Sequence, residues 1–242
     1  MTDARVTLVT GASSGIGRAL ALRLLEEGHT VLNVSRRPSP EAHDHLQDIA
    51  LDLTDSEATS RAAEEIAARW PVTRIVHNAG IIRPNLLPEA TAEDVRVLTQ
   101  LHVTSPMLLT QAVLPAMEKA QFGRIVFITS RAALGVPTRT AYSATKAAVH
   151  GMLRTWALEL GPLGITANAV APGPILTDNF WGIIDKGSER EAKLADALPV
   201  RRLGTVDDVV HAARFFLDDA AGFTTGQVLY VCGGASVGMV TL

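Results

Sequence analysis

Three glycines set between a β-branched run and an amphipathic one constrain this chain more than any other feature. Thr10-Gly11-Ala12-Ser13-Ser14-Gly15-Ile16-Gly17 follows the strand-like run Val6 to Thr10 and opens the helically spaced apolar residues from Ile16 to Leu25, which stop before Gly28. A strand that turns through glycines straight into a helix is how a nucleotide-binding unit begins. Small residues let the backbone approach a pyrophosphate, and the helix N-terminus offers free N–H groups and a partial positive charge. Three residues separate Gly11 from Gly15 and one separates Gly15 from Gly17, a wider first gap than usual. The alternative is a Gly/Ser turn that binds nothing.

The alternation continues. Strands are expected at Thr30 to Val34, Ile49 to Leu51, Arg74 to His77, Arg124 to Thr129, Thr166 to Val170 and Gln227 to Val231. Helices are expected over Ser56 to Arg69, Ala92 to Met117, Tyr142 to Leu160 and Val206 to Leu217. Pro106 should bend the second of these or be absorbed locally. Strands that alternate with helices predict an α/β fold: a single-domain, doubly wound parallel sheet with helices on both faces, spanning residues 1–242. A hydrophobic fraction of 47% gives it ample core.

A formal net charge of -3 offers no basic field for nucleic acid or an anionic membrane, so a small-molecule partner is expected. The glycine motif comes too early to leave room for a signal peptide and no run reaches spanning length, which predicts a cytoplasmic protein. Cys232 is the sole cysteine and no Cys/His cluster has zinc spacing, so neither an internal disulfide nor a metal is expected.

About twenty residues beyond the glycines, an acid would bind the ribose hydroxyls of NAD, and arginine would accommodate the 2′-phosphate of NADP. The chain has Ser35-Arg36-Arg37, which favours NADP(H), because a guanidinium pairs with a phosphate that a carboxylate would repel. A solvated arginine pair is the plainer alternative. Tyr142 and Lys146 stand four residues apart and so share one helix face, where an ammonium can favour the phenolate of a candidate general acid or base.

With Asp52-Leu53 after the third strand, Asn78-Ala79-Gly80 after the fourth, Ser130 after the fifth, and Pro172-Gly173 followed by Thr177, the chain resembles the classical short-chain dehydrogenase/reductase family, of the 3-oxoacyl carrier-protein reductase type, over nearly its whole length. The resemblance implies that Asp52 contacts the adenine amino group, that Asn78 to Gly80 support the adenosine, and that Ile175 and Thr177 meet the nicotinamide carboxamide. It also implies that Ser130 and Tyr142 face the substrate oxygen, and that Lys146 holds the nicotinamide ribose and keeps Tyr142 acidic. More local roles stand beside these. Asp52 could cap the helix near Ser56, Asn78 could tie neighbouring strands, Ser130 could cap the segment after it, Tyr142 could be a core aromatic and Lys146 a solvated charge. The expected activity is hydride transfer between NADP(H) and a carbonyl or secondary alcohol. An NAD-dependent alcohol dehydrogenase and a catalytically silent NADP-binding scaffold are the alternatives.

Where relatives commonly carry an asparagine whose backbone carbonyl holds a water in the proton path, this chain has His102. It either modulates proton transfer or packs as a neutral imidazole bonded to a neighbour. Phe180, Trp181, Ile183 and Ile184, in a segment of about 176–198, fit a mobile cover over an apolar substrate, or else a core or subunit face. The resemblance further implies a homotetramer, or a homodimer, paired through the helices around Ala92 to Met117 and Tyr142 to Leu160.

Overall fold

In the computed structural model, which describes residues 5–237, seven strands form one sheet in the order β3-β2-β1-β4-β5-β6-β7. They are β1 (Val6–Thr10), β2 (Thr30–Ser35), β3 (Leu46–Ala50), β4 (Arg74–His77), β5 (Gly123–Ile128), β6 (Ile165–Pro172) and β7 (Val228–Val231), and every neighbouring pair is parallel. The chain builds outward from β1 through β2 to β3, then crosses back to lay β4 on the other flank of β1. That reversal opens a crevice at the C-terminal strand ends. The ends of the expected 1–242 domain, residues 1–4 and 238–242, lie outside the described residues.

Strand alternation sends side chains to two apolar layers. On one face Leu8, Leu32, Ile75, Ile125 and Phe127 pack with Ala63 and Ile66 of α2 (Ser56–Arg69), with Leu109, Val113 and Met117, and with Val149 and Leu153. On the other face Val9, Val31, Val76 and Val126 pack with Leu20 and Leu24 of α1 (Gly15–Glu26) and with Val209, Ala213 and Phe216. Each such Leu, Ile or Phe contributes about 1.5–3 kcal/mol by leaving water.

The expected 92–117 helix is three pieces: α3 (Ala92–Thr99), a π-helical turn at Gln100–Thr104, and α4 (Ser105–Ala120). Pro106, which has no N–H to give to a preceding carbonyl, sits in the first turn of α4, and the wide turn before it takes up the irregularity. α5 (Thr140–Leu160) brings the Tyr142/Lys146 face against β5 and β6. The 176–198 segment contains α6 (Asp178–Trp181) and α7 (Glu189–Asp196). α8 (Val206–Leu217) then leads to β7. No described helix is long and apolar enough to cross a membrane.

Candidate active site

The glycine turn is shaped by backbone needs that only glycine meets. Gly11 and Gly15 have φ of +73° and +55°. At Gly17 a Cβ would collide with Asn78 Nδ2 and with the Gly11 carbonyl oxygen. Asn78 explains the crowding: its Nδ2 donates to Thr10 O at 3.0 Å and to Gly11 O at 3.2 Å, locking the turn to the end of β4. Thr10 Oγ1 returns the tie by accepting from the backbone of Asn78 at 2.9 Å and of Ala79 at 3.0 Å. Asn78 therefore has the strand-tying role, with Gly80 beyond it.

α1 starts from Ser14, whose side chain makes no cap bond, and its first turn carries no acid. By contrast α2 and α8 begin with a side-chain cap and acidic first turns. The open N–H groups at Ser13, Ser14, Gly15 and Ile16, with two left-handed glycines, fit a pyrophosphate. Asn33, fully buried on β2, was hidden in the sequence as a polar interruption of an apolar run. Its Oδ1 accepts from Ala12 N at 3.1 Å and from Ser35 Oγ at 2.5 Å, and its Nδ2 donates to Asp48 at 2.7 Å.

Beyond Ser35, Arg36 and Arg37 are exposed. The Arg36 charge is felt at Asp52, whose carboxyl is held below the usual range first by the Thr54 backbone N–H and side chain and less by Arg36. Asp52 Oδ1 takes Thr54 N at 3.0 Å and Thr54 Oγ1 at 2.8 Å, while the cap of α2 is Asp55, accepting from Ala58 N at 2.9 Å. Leu53 is buried, and its carbonyl receives the Ser105 hydroxyl at 2.5 Å. An acid beside an arginine at the rim of β2 and β3 fits an adenosine bearing a 2′-phosphate.

At the far end of the crevice, Pro172 closes β6 and Gly173 passes against Cys232 too closely for a side chain, donating its N–H to Val231 O at 2.9 Å. The Ile175 side chain points into the core beside Gly204. Thr177 caps α6 through Phe180 N at 3.3 Å, and its methyl faces Gly15.

Ser130, Tyr142 and Lys146 are together. Lys146 is 5% exposed; its Nζ donates to Ile128 O at 3.0 Å and lies 5.6 Å from the Tyr142 ring centre. Burial lowers its pKa to about 8. Burial raises the pKa of the Tyr142 phenol, against the downward pulls of a Ser130 hydrogen bond and the Arg139 charge. The phenol is thus held protonated. Ser130 Oγ accepts from Ala132 N at 3.1 Å, which caps the turn after β5 and leaves the hydroxyl proton free to donate. His102 is 3% exposed and packs edge-to-face with Tyr142, with centroids 5.5 Å apart.

Arg139 was missed in the sequence, although it stands three residues before Tyr142, at the N-cap of α5. Its guanidinium donates to Thr138 Oγ1 at 2.7 Å, and Thr138 itself is held at φ +64°. A β-branched residue in that region is strained, and such strain gathers at functional sites.

A family model described as enoyl-(acyl carrier protein) reductase matches residues 11–236. Curated relatives include the hydroxy(phenyl)methylsuccinyl-CoA dehydrogenase subunit BbsD of Thauera aromatica, 38% identical over 96% of this chain and 97% of the relative. A 3-oxoacyl acyl-carrier-protein reductase of Haemophilus influenzae is 37% identical over 95% and 97%. Among solved structures, ElxO with NADP bound superposes with a TM-score of 0.89 at 30% identity, covering 97% of this chain and all of that one. The aldohexose dehydrogenase of Thermoplasma acidophilum does so with 0.89 at 27% identity, covering 99% and 96%.

Proposed function

The chain belongs to the classical short-chain dehydrogenase/reductase family of oxidoreductases, and from that premise we propose that it reduces a ketone, of the 3-oxoacyl thioester type, to a secondary alcohol with NADPH. The observation that carries this reading is the buried ammonium of Lys146 beside a phenol that burial keeps protonated. Bound in the crevice, the nicotinamide supplies the hydride. The glycine turn and the open start of α1 hold the pyrophosphate, Asp52 and Asn78 to Gly80 border the adenosine, and Ile175 and Thr177 border the nicotinamide end. Tyr142 donates its proton to the carbonyl oxygen as charge develops there. The Ser130 hydroxyl, whose oxygen is already engaged by Ala132 N–H, donates to the same oxygen. Lys146 has two N–H donors left after Ile128, so its charge can stabilise the phenolate that Tyr142 leaves behind.

The thioester class rests on the curated relatives, one named for a carrier-protein thioester and one for a CoA thioester. Ile183, half-exposed after the edge-to-face pair Phe180 and Trp181, supports a cover over an apolar acyl chain. Leu158 projects outward from α5, in keeping with helix pairing in a homotetramer or homodimer.

NADPH preference is tested at Arg36. Arg36→Asp replaces a charge-assisted donor with a repelling carboxylate, so NADPH affinity should fall about 10–100-fold, as loss of a hydrogen bond to a charged group implies. NADH affinity should hold or improve. Fluorescence titration of both nucleotides, followed by nicotinamide absorbance with acetoacetyl-CoA, reads this out. Unchanged NADPH affinity in the variant contradicts the assignment of Arg36. Tight NADPH binding without turnover of any ketone, thioester or alcohol would instead support a silent scaffold.

A further inference from the structure

The two ring nitrogens of His102 are in different situations. Nδ1 lies 2.9 Å from Thr145 Oγ1, whereas Nε2 is buried and has no partner among the described residues. The Thr145 hydroxyl has a single hydrogen, directed at carbonyls of its own helix, Ala141 O at 3.0 Å and Tyr142 O at 3.1 Å. Toward the imidazole it therefore acts as an acceptor. The hydrogen-bond network thus assigns the ring proton to Nδ1 and leaves Nε2 a bare lone pair.

A donor stands beside that lone pair. A Cβ placed on Gly80 would lie 3.2 Å from His102 Nε2 and 3.6 Å from Lys146 Nζ, so the two atoms flank the same glycine. Lys146 has three N–H donors, of which Ile128 O takes one. His102 and Lys146 also line one cavity of about 10 Å³, shared with Thr10, His77 and Thr129. That is the room of a single water molecule with polar partners.

We propose that His102 is a positioning residue for Lys146: its Nε2 accepts a hydrogen bond from one water in the shared cavity that itself accepts from the ammonium, and so fixes the charge beside Tyr142. The proposal rests on the acid–base reading of Tyr142 and Lys146. It gives the side chain at this position a task of its own. The titratable and charged groups facing His102 are Lys146 and Tyr142 from α5 and His77 from β4; Arg139 acts on Tyr142 from the start of α5. Burial and then the Lys146 charge hold His102 well below its ordinary pKa, and burial lowers His77 to about 3, so both rings are neutral acceptors at working pH.

His102→Phe keeps a flat ring and removes the acceptor, and His102→Gln returns an amide oxygen. In NADPH-driven reduction of acetoacetyl-CoA, His102→Phe should move the alkaline limb of the pH profile down by about one unit, as loss of a hydrogen bond to a charged group implies. It should lower kcat about tenfold at unchanged NADPH affinity, and His102→Gln should recover most of both. A limb that stays in place in His102→Phe, or a Gln variant no better than Phe, overturns the proposal. Long-range ¹H–¹⁵N spectra of the unmodified protein decide the tautomer without any turnover. The neutral Nδ1–H form is expected, and an Nε2–H form overturns the proposal even if His102→Phe does not fold. Wild-type protein that shows the Nδ1–H form but no turnover would sink the reaction assignment instead.

Discussion

Tyr142→Phe is expected to lower kcat for NADPH-driven ketone reduction by about 10²–10⁴-fold, the usual contribution of a positioned proton donor. Nucleotide affinity should be nearly unchanged. The substitution removes one oxygen and keeps the ring that packs edge-to-face with His102 and lies 5.6 Å from Lys146 Nζ, so the packing of the site survives. Ser130 cannot replace the phenol. It can donate to the developing oxyanion, but as an ordinary alcohol it is far too weak an acid to release its proton, and no described base is bonded to it. Stopped-flow turnover with acetoacetyl-CoA and a parallel fluorescence titration of NADPH separate the two effects. Activity within tenfold of wild type would mean that the proton comes from elsewhere.

Gly17→Val should abolish nucleotide binding and lower thermal stability. An added Cβ meets the Asn78 amide and the Gly11 carbonyl, and lies 2.9 Å from the Gly11 carbonyl carbon, all parts of a turn with little freedom to yield. Overpacking of this kind costs about 1–3 kcal/mol before the loss of the two Asn78 bonds to Thr10 and Gly11 is added. It also displaces the start of α1, whose free N–H groups are the proposed pyrophosphate seat. Thermal melts by circular dichroism and NADPH titration measure both, and a Gly17→Val protein that binds NADPH normally would place the nucleotide elsewhere.

How much of this was legible in the sequence differs from element to element for physical reasons. The central strands are buried on both faces, so Val6 to Thr10 and Arg124 to Ile128 read as short apolar or β-branched runs even though each includes polar residues. β3 is an edge strand with a largely exposed pattern, and its Leu46–Ala50 extent had been expected only at its end. The π turn at Gln100–Thr104 has no composition of its own, and Pro106 signalled an irregularity without its form. The side chains proposed to react were legible because spacing and strand ends announce them. Their supports were not. Asn33 and Arg139 act through tertiary contacts: Asn33 bonds Ala12 across the sheet, and the charge of Arg139 reaches Tyr142 from a strained turn. The acidity of Tyr142 also depends on burial, which raises its pKa against the pulls of Ser130 and Arg139, and none of the three was legible in the four-residue spacing to Lys146.

The pH dependence of kcat/KM for reduction of acetoacetyl-CoA by NADPH tests the central claim most directly. Lys146, lowered by burial from the ordinary ammonium range to about 8, is charged below that pH and neutral above it, so the chemistry it supports is present below and lost above. A single descending limb near pH 8 is expected, abolished in Lys146→Met along with most of the activity and displaced upward in Lys146→Arg, whose guanidinium stays charged. A profile flat through the alkaline range, or a limb that remains at the same pH in Lys146→Arg, would contradict the account.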